Sequence, residues 1–209
     1  MALNTIGIKN WNLQSLTDLC CTTSIWTVDL AYLLQKFSVS FSYLTVTLGV
    51  NPSYSAEMFY KEQLPTDLVR VDMLFQRAVD EGINIVCRSI NEKEISHLIL
   101  SGKYIAIALV DQYKLSRSLL EGILPMGLKI NSGYAGHYVL ICGYDAGADE
   151  FEIRDPASSR KHDRISSKCL EEARKSFGTD EDLLLISLEK SSKQHSSSWQ
   201  PFSHVSATL

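Results

Sequence analysis

The chain has 209 residues, 45% of them hydrophobic and 21% charged, the composition of a globular protein able to bury a full core. Its net charge of −4 and isoelectric point near 5.7 exclude the basic face that a nucleic-acid partner needs. No apolar run reaches the ~18 residues of a membrane span, and Met1 to Ile8 lacks the basic start and long apolar stretch of a signal peptide.

Met1 to Ile6 reads as the end of a helix stopped at Gly7, too short to be stable alone because nucleation is costly, so the chain reads as starting inside an element. Ser24 is placed to cap a helix with Trp26, Leu30, Leu33, Leu34 and Phe37 on one stripe. Phe41 to Val50, β-branched and aromatic, predicts a strand ending at the Asn51-Pro52 turn. Thr66 or Asp67 opens a second helix with Val71, Leu74, Phe75, Ala78 and Val79 inward and Gly82 as its stop. Ile83 to Ile90 predicts a strand, and Asn91 with Glu94 three residues on is a capping box for a short helix ended by Gly102.

Tyr104 to Val110 is apolar on both faces, as a central strand requires. Residues 112–135 show little periodicity and several glycines, which predicts a long surface loop. His137 to Tyr144 and Phe151 to Arg154 predict a hairpin about the tight connection Asp145–Asp149. Ser166 or Ser167 caps a helix through Phe177, Gly178 closes it, and Leu183 to Leu188 is a last strand. The serine-rich remainder, 189–209, reads as a disordered tail after a single domain over 1–188.

The five cysteines, Cys20, Cys21, Cys87, Cys142 and Cys169, are odd in number and contain no CxxC. They predict reduced thiols, Cys87 and Cys142 buried in strands, in a cytoplasmic or nuclear protein. Cys20 and Cys21 precede a helix start, where a thiolate would be stabilised, although packing alone explains two such residues.

The chemistry-bearing feature is the hairpin. If it closes about Ala146, His137 stands directly opposite Asp155, and opposed Cβ atoms lie ~4.5–5.5 Å apart. Phe151, Ile153 and Asp155 share the apolar face, so the carboxylate needs a partner and His137 supplies one. Such a pair orients an imidazole as general base for a nucleophile, and Gly133, Ala135 and Gly136 keep its approach open. The same spacing also fits a core histidine beside an Asp-Pro turn. His97, His162, His195 and His204 read as solvated. Asp180, Glu181 and Asp182 offer carboxylates for a divalent cation, or merely an exposed cap before the last strand. No GxxxxGK[ST] or GxGxxG phosphate loop occurs.

The stretches SIWTVDLAYLLQKF (24–37), TLGV (47–50), FYKEQL (59–64), GHYVLICGYD (136–145), EIRDPA (152–157) and EEARKSFGTDEDLLLISL (171–188) resemble the plant soluble guanylyl cyclase family. The resemblance covers the chain to about Leu188. It implies conversion of GTP to cyclic GMP and pyrophosphate with magnesium; on that reading Gly136 and Tyr138 are candidate substrate contacts, and Asp180 and Asp182 of the acidic run are candidate metal ligands. It also implies an α+β fold of the papain-like cysteine-peptidase type, a central and mostly antiparallel sheet packed with helices. In the related bacteriocin-leader peptidases a cysteine in an Asp-Cys-Gly motif joins a Gly-His and an Asp-Pro. Gly136-His137 and Asp155-Pro156 match two of those parts, and the cysteine would lie upstream of Met1, as in a shortened isoform. The alternative activity is therefore a cysteine-peptidase-type hydrolase acting on a peptide, or a non-catalytic binding scaffold. Residues 119–133 depart from the family pattern, which puts substrate contacts there in doubt. Neither a nucleic acid nor a membrane is an expected partner.

Overall fold

The computed structural model describes residues 1–62, 64–120 and 133–189, with only the backbone of 117–120. The architecture is α+β. Seven strands form one mixed sheet in the order β2-β1-β7-β3-β4-β5-β6. They are β1 (Phe41–Thr45), β2 (Ile85–Cys87), β3 (Tyr104–Asp111), β4 (Gly136–Asp145), β5 (Glu150–Arg154), β6 (Asp163–Ser166) and β7 (Leu183–Ser187). Only β1 and β2 pair in parallel; the other neighbours are antiparallel. The apolar run YIAIALV sits between β7 and β4 as expected of a central strand.

Alternation along the strands splits the core into two layers. On one face Tyr43, Ile105, Leu140, Leu184 and Ile186 pack under α1 (Ala2–Thr5), α3 (Thr27–Lys36) and α5 (Leu64–Arg77). On the other, Leu44, Ala106, Ala108, Val110, Val139, Ile141, Phe151 and Ile153 pack under α6 (Glu92–Leu100), α7 (Gln112–Leu120) and α8 (Ser167–Arg174). Two further helices, α2 (Leu13–Cys20) and α4 (Met58–Lys61), and a 3-10 turn (Pro52–Ala56) extend the first layer, which buries Tyr54 and Tyr60 and packs against Leu16. No helix among the described residues is long and apolar enough to cross a membrane.

Several local expectations hold by the mechanism that suggested them. Asn91 accepts from Glu94 N–H at 2.9 Å while Glu94 accepts from Asn91 N–H at 3.1 Å, a complete capping box. Ser166 caps α8 by accepting from Cys169 N–H. Gly7 stops its helix at φ +83° and Gly102 follows the last turn of α6 at φ +68°, but α8 ends at Arg174 with Lys175 as its cap, so Gly178, at φ +102°, belongs to the turn beyond and does not close it.

Others are corrected. Ser24 does not cap α3; its hydroxyl donates to Asp67, and Trp26 is the cap residue, its N–H held by Asp29 three positions on at 2.8 Å. The first strand ends at Thr45, because the Val46 N–H already bonds Asp180 O outside the ladder. Val79 is 79% exposed, since α5 ends at Arg77 and Val79 no longer shares the phase of its stripe. Residues 112–120, expected in a loop, form α7, which buries Leu115 against the sheet; residues 121–132 of that expected loop lie outside the description. Cys20 and Cys21 end α2 rather than precede a helix, with Cys21 left-handed at φ 56°, so the helix dipole there opposes a thiolate. All five cysteines are free, but Cys87 is exposed at the short edge strand rather than buried. Of the serine-rich tail only Glu189 is described.

The hairpin register is the most consequential correction. Next to the turn, Asp145 pairs with Glu150, Tyr144 with Phe151 and Gly143 with Glu152; beyond it, Ile141 pairs with Ile153 and Leu140 with Arg154. Cys142 is the extra residue of a β-bulge. Continuing the outer register puts Asp155 opposite Val139, so His137 is its diagonal neighbour and not its direct partner. Without the bulge Asp155 would fall opposite Leu140, on the face His137 does not share, because a one-residue slip exchanges the faces.

Candidate functional site

The structure brings His137 and Asp155 together and separates them from the other predicted residues. His137 Nε2 lies 2.6 Å from Asp155 Oδ1, with 15% and 11% of the two side chains exposed. Asp155 Oδ1 also accepts from Ala157 N–H at 2.7 Å, which fixes the carboxylate at the start of the Asp-Pro turn. The pair lies on the α6–α8 face, in line with Val139 and Ile141. Among the described residues no Cys, Ser or Thr side chain hydrogen-bonds His137.

Gly136, Tyr138, Asp180 and Asp182 instead line one cavity of about 340 Å³ on the α3 face, walled by Trp26, Thr27, Phe59, Tyr60 and Leu109. The alternation of β4 explains the division: Tyr138 points to the side opposite His137. Its hydroxyl is 3.2 Å from that of Thr27, the first residue of α3.

The floor is the turn into β7. Asp180 and Glu181 both adopt left-handed backbone, φ 49° and 53°, a conformation costly for residues with a Cβ and usually retained for a functional reason. The turn is over-determined. Thr179 donates its hydroxyl to Arg174 O and Ser176 O, Asp182 N–H bonds Thr179 O at 2.9 Å, and Leu109 N–H bonds Asp182 O at 3.1 Å. Arg174, wholly buried, holds Glu181 O at 3.1 Å and also donates to Ile90 O. The consequence is a carboxylate the fold satisfies only in part: hydroxyls of Thr27, Thr45 and Tyr43 favour its charge but do not offset its burial. Asp182 is 5% exposed, and its Oδ1 is buried with no hydrogen-bond partner among the described residues. Burial pushes its carboxyl up to about 7, and the charge of Asp180 adds to the shift. Burial raises Asp180 as well. The expectation that this acidic run is an exposed cap fails for these two.

The wall is an aromatic stack. Tyr60 lies between Tyr54 and Tyr134, near-parallel to both, with centroids 4.9 and 5.6 Å away, and Trp26 leans on it at 5.2 Å. Burial raises the phenol pKa of Tyr54, Tyr60 and Tyr134, so all three stay protonated donors; Tyr60 donates to Gly178 O at 2.6 Å. A Cβ on Gly178 would come within 2.8 Å of the Tyr134 ring, on a backbone at φ +102°. Glycine is needed there for both reasons.

A charged network that the sequence alone does not announce carries the segment before α3. Arg70 on α5 bonds Asp29 Oδ1 at 2.5 Å, Asp67 Oδ1 at 3.1 Å and Ser24 O at 2.9 Å. Asp67 Oδ2 in turn accepts from the Trp26 indole at 2.8 Å. Two buried carboxylates thus share one guanidinium and hold the Trp26 ring at the cavity wall. The only sequence signal was two acidic residues on the apolar sides of predicted helices.

A family model described as guanylylate cyclase matches residues 1–186. Guanylyl cyclase 1 of Arabidopsis thaliana is 67% identical over 196 residues, which cover 93% of this chain and 72% of that relative. The chain belongs to the guanylylate cyclase family. Within it, the sequence-predicted substrate and metal residues share one cavity, while the histidine–aspartate pair stands on the other side of the sheet.

Proposed function

We propose that the chain converts GTP to cyclic GMP and pyrophosphate at the cavity beneath the start of α3, with magnesium as cofactor. The observation that carries this reading is the Asp180–Asp182 turn, two carboxylates raised by burial, one with an orphaned oxygen, in an aromatic-walled cavity of the size small-molecule sites have. The residues fit a hard divalent cation, which takes oxygen ligands and removes the cost of an uncompensated buried charge. Asp180 and Asp182 would hold it. Bound there, magnesium supplies charge neutralisation to the triphosphate.

The chain's own residues do the remaining work. Trp26, Phe59 and Tyr60 offer ring faces on which a purine stacks, a contact worth ~1–3 kcal/mol per base. Thr27 and Tyr138 place hydroxyls at the cavity for the ribose or the phosphates, and the first turn of the ten-residue α3 favours negative charge. Cyclisation joins the ribose 3′ oxygen to the α-phosphorus and breaks the bond from that phosphorus to the oxygen shared with the β-phosphate, releasing pyrophosphate, with the 3′ hydroxyl proton passing to solvent or to the leaving pyrophosphate. Positioning by these walls is what holds the 3′ oxygen and the α-phosphorus together.

A second reading, a papain-like hydrolase acting on a peptide, is supported by the 2.6 Å contact of His137 and Asp155. It requires a nucleophile that the described residues do not present to His137. Purified protein given magnesium and GTP should form cyclic GMP above a heat-killed control, with loss in D180N and D182N and retention in H137Q. Loss in H137Q with retention in D182N would transfer the chemistry to the dyad. No cyclic GMP from folded wild type would end the cyclase reading.

A further inference from the structure

The residue that resets the hairpin register is also one of three potential metal ligands. Cys142, at the bulge of β4, shares a face with Glu152 of β5 and meets His162, in the connection to β6. One ligand atom from each, thiol sulfur, carboxylate oxygen and imidazole nitrogen, lies within 4.8 Å of the other two. Cys142 Sγ is 4.0 Å from His162 Nδ1, and His162 Nδ1 is in ion-pair contact with Glu152 Oε1. All three side chains are half-buried, so an ion has an entry path and still loses part of its hydration. His162, which the sequence alone places in a solvated charged loop, is therefore held against the sheet.

The geometry points to a zinc-type metal site formed by Cys142, Glu152 and His162, separate from the magnesium cavity and clamping the bulged hairpin. Ligand chemistry selects the ion: a thiolate and an imidazole suit zinc and disfavour magnesium or calcium, which take oxygen donors. With Zn–S near 2.3 Å and Zn–N near 2.0–2.1 Å, the S···N edge of a tetrahedral site is about 3.6 Å. The observed 4.0 Å closes to that edge with a shift of a few tenths of an ångström. Thiolate and carboxylate together neutralise a divalent ion, which displaces the thiol proton that burial and the Glu152 charge otherwise retain. Three protein ligands leave the fourth position to water. The site lies four residues along β4 from Tyr138, roughly 13 Å at strand rise, so it is not part of the cavity.

The proposed role is positional. Metal binding ties β4, β5 and the β5–β6 connection at the one residue whose extra place puts His137 and Asp155 on the same face. The test is cobalt(II) titration of the metal-stripped chain. A thiolate-to-cobalt charge-transfer band should grow to one equivalent and be displaced by zinc, and zinc should raise the thermal midpoint. The band should vanish in C142S, weaken at least about tenfold in affinity in H162N and E152Q, and persist in the C20S/C21S control. Absence of the band in folded wild type, or its survival in both C142S and H162N, would overturn the proposal. If C142S fails to fold, H162N and E152Q decide: unchanged cobalt affinity in both overturns it. Because no readout uses nucleotide turnover, its failure is distinct from failure of the cyclase reading.

Discussion

Replacing Asp182 with Asn removes the carboxylate whose ionisation the cavity opposes most, and stability against pH reads that opposition directly. The carboxyl is pushed up from 3.8 in the unfolded chain to about 7 in the folded one, by burial first and by Asp180 second. With the folded pKa raised, the unfolded chain releases its proton first. The associated stability is therefore fully present below 3.8 and is lost progressively until the pH passes about 7. Integrating the linkage relation between pH 5 and pH 8 gives a loss of about 2–3 kcal/mol from this group alone. Titrating groups that do not interact with Asp182 are common to wild type and D182N and cancel in the difference, while the coupling to Asp180 is counted within it. Urea melts of both proteins at pH 5 and pH 8, in EDTA, should show D182N gaining about 2–3 kcal/mol on wild type as the pH rises. Adding millimolar magnesium at pH 8 should raise the wild-type midpoint and leave D182N unmoved, since a ligand stabilises only the state that binds it. Parallel pH profiles for the two proteins would refute the argument. They would mean that Asp182 titrates as an ordinary hydrated carboxylate and that the cavity does not hold it in want of a cation.

Converting Arg70 to Met should lower stability by about 3 kcal/mol in a urea melt, because Asp29 and Asp67 are left buried without their shared cation; 27% exposure of Arg70 keeps the figure at the low end of such losses. The same variant should weaken nucleotide affinity, since Asp67, which anchors the Trp26 indole, loses the guanidinium that fixes it. Gly178→Ala must displace the Tyr134 ring and strain the backbone, and should cost about 1–3 kcal/mol, read as a lower thermal midpoint. H137Q should leave the midpoint within a few degrees and cyclic GMP formation intact, while equal loss in H137Q and D182N would show that the two faces act as one site.

Much of the fold was legible because local signals and burial agreed. The capping box of Asn91 and Glu94, the doubly apolar β3 and the glycine stops at Gly7 and Gly102 each state their role in adjacent residues. α7 was missed because, among its described side chains, only Leu115 is buried, too little to make a stripe in a segment rich in glycine further on. α2 was missed because none of its residues is buried, although the Asn12–Ser15 capping box that starts it was there to be read.

For the site, the sequence by itself determined which residue types were at hand: an imidazole and a carboxylate on neighbouring strands, and acidic residues before the last strand. Tertiary structure decided how they combine. A single inserted residue at Cys142 sets the parity of the hairpin, and parity alone determines whether His137 meets Asp155, a choice no count of spacing from the turn can make. The Asp182 carboxylate became chemically unusual only because β7 lies between β1 and β3 and carries the turn beneath α3, away from water. Desolvation belongs to the packed chain, so the electrostatic character of Asp182 could not be read from its neighbours in sequence.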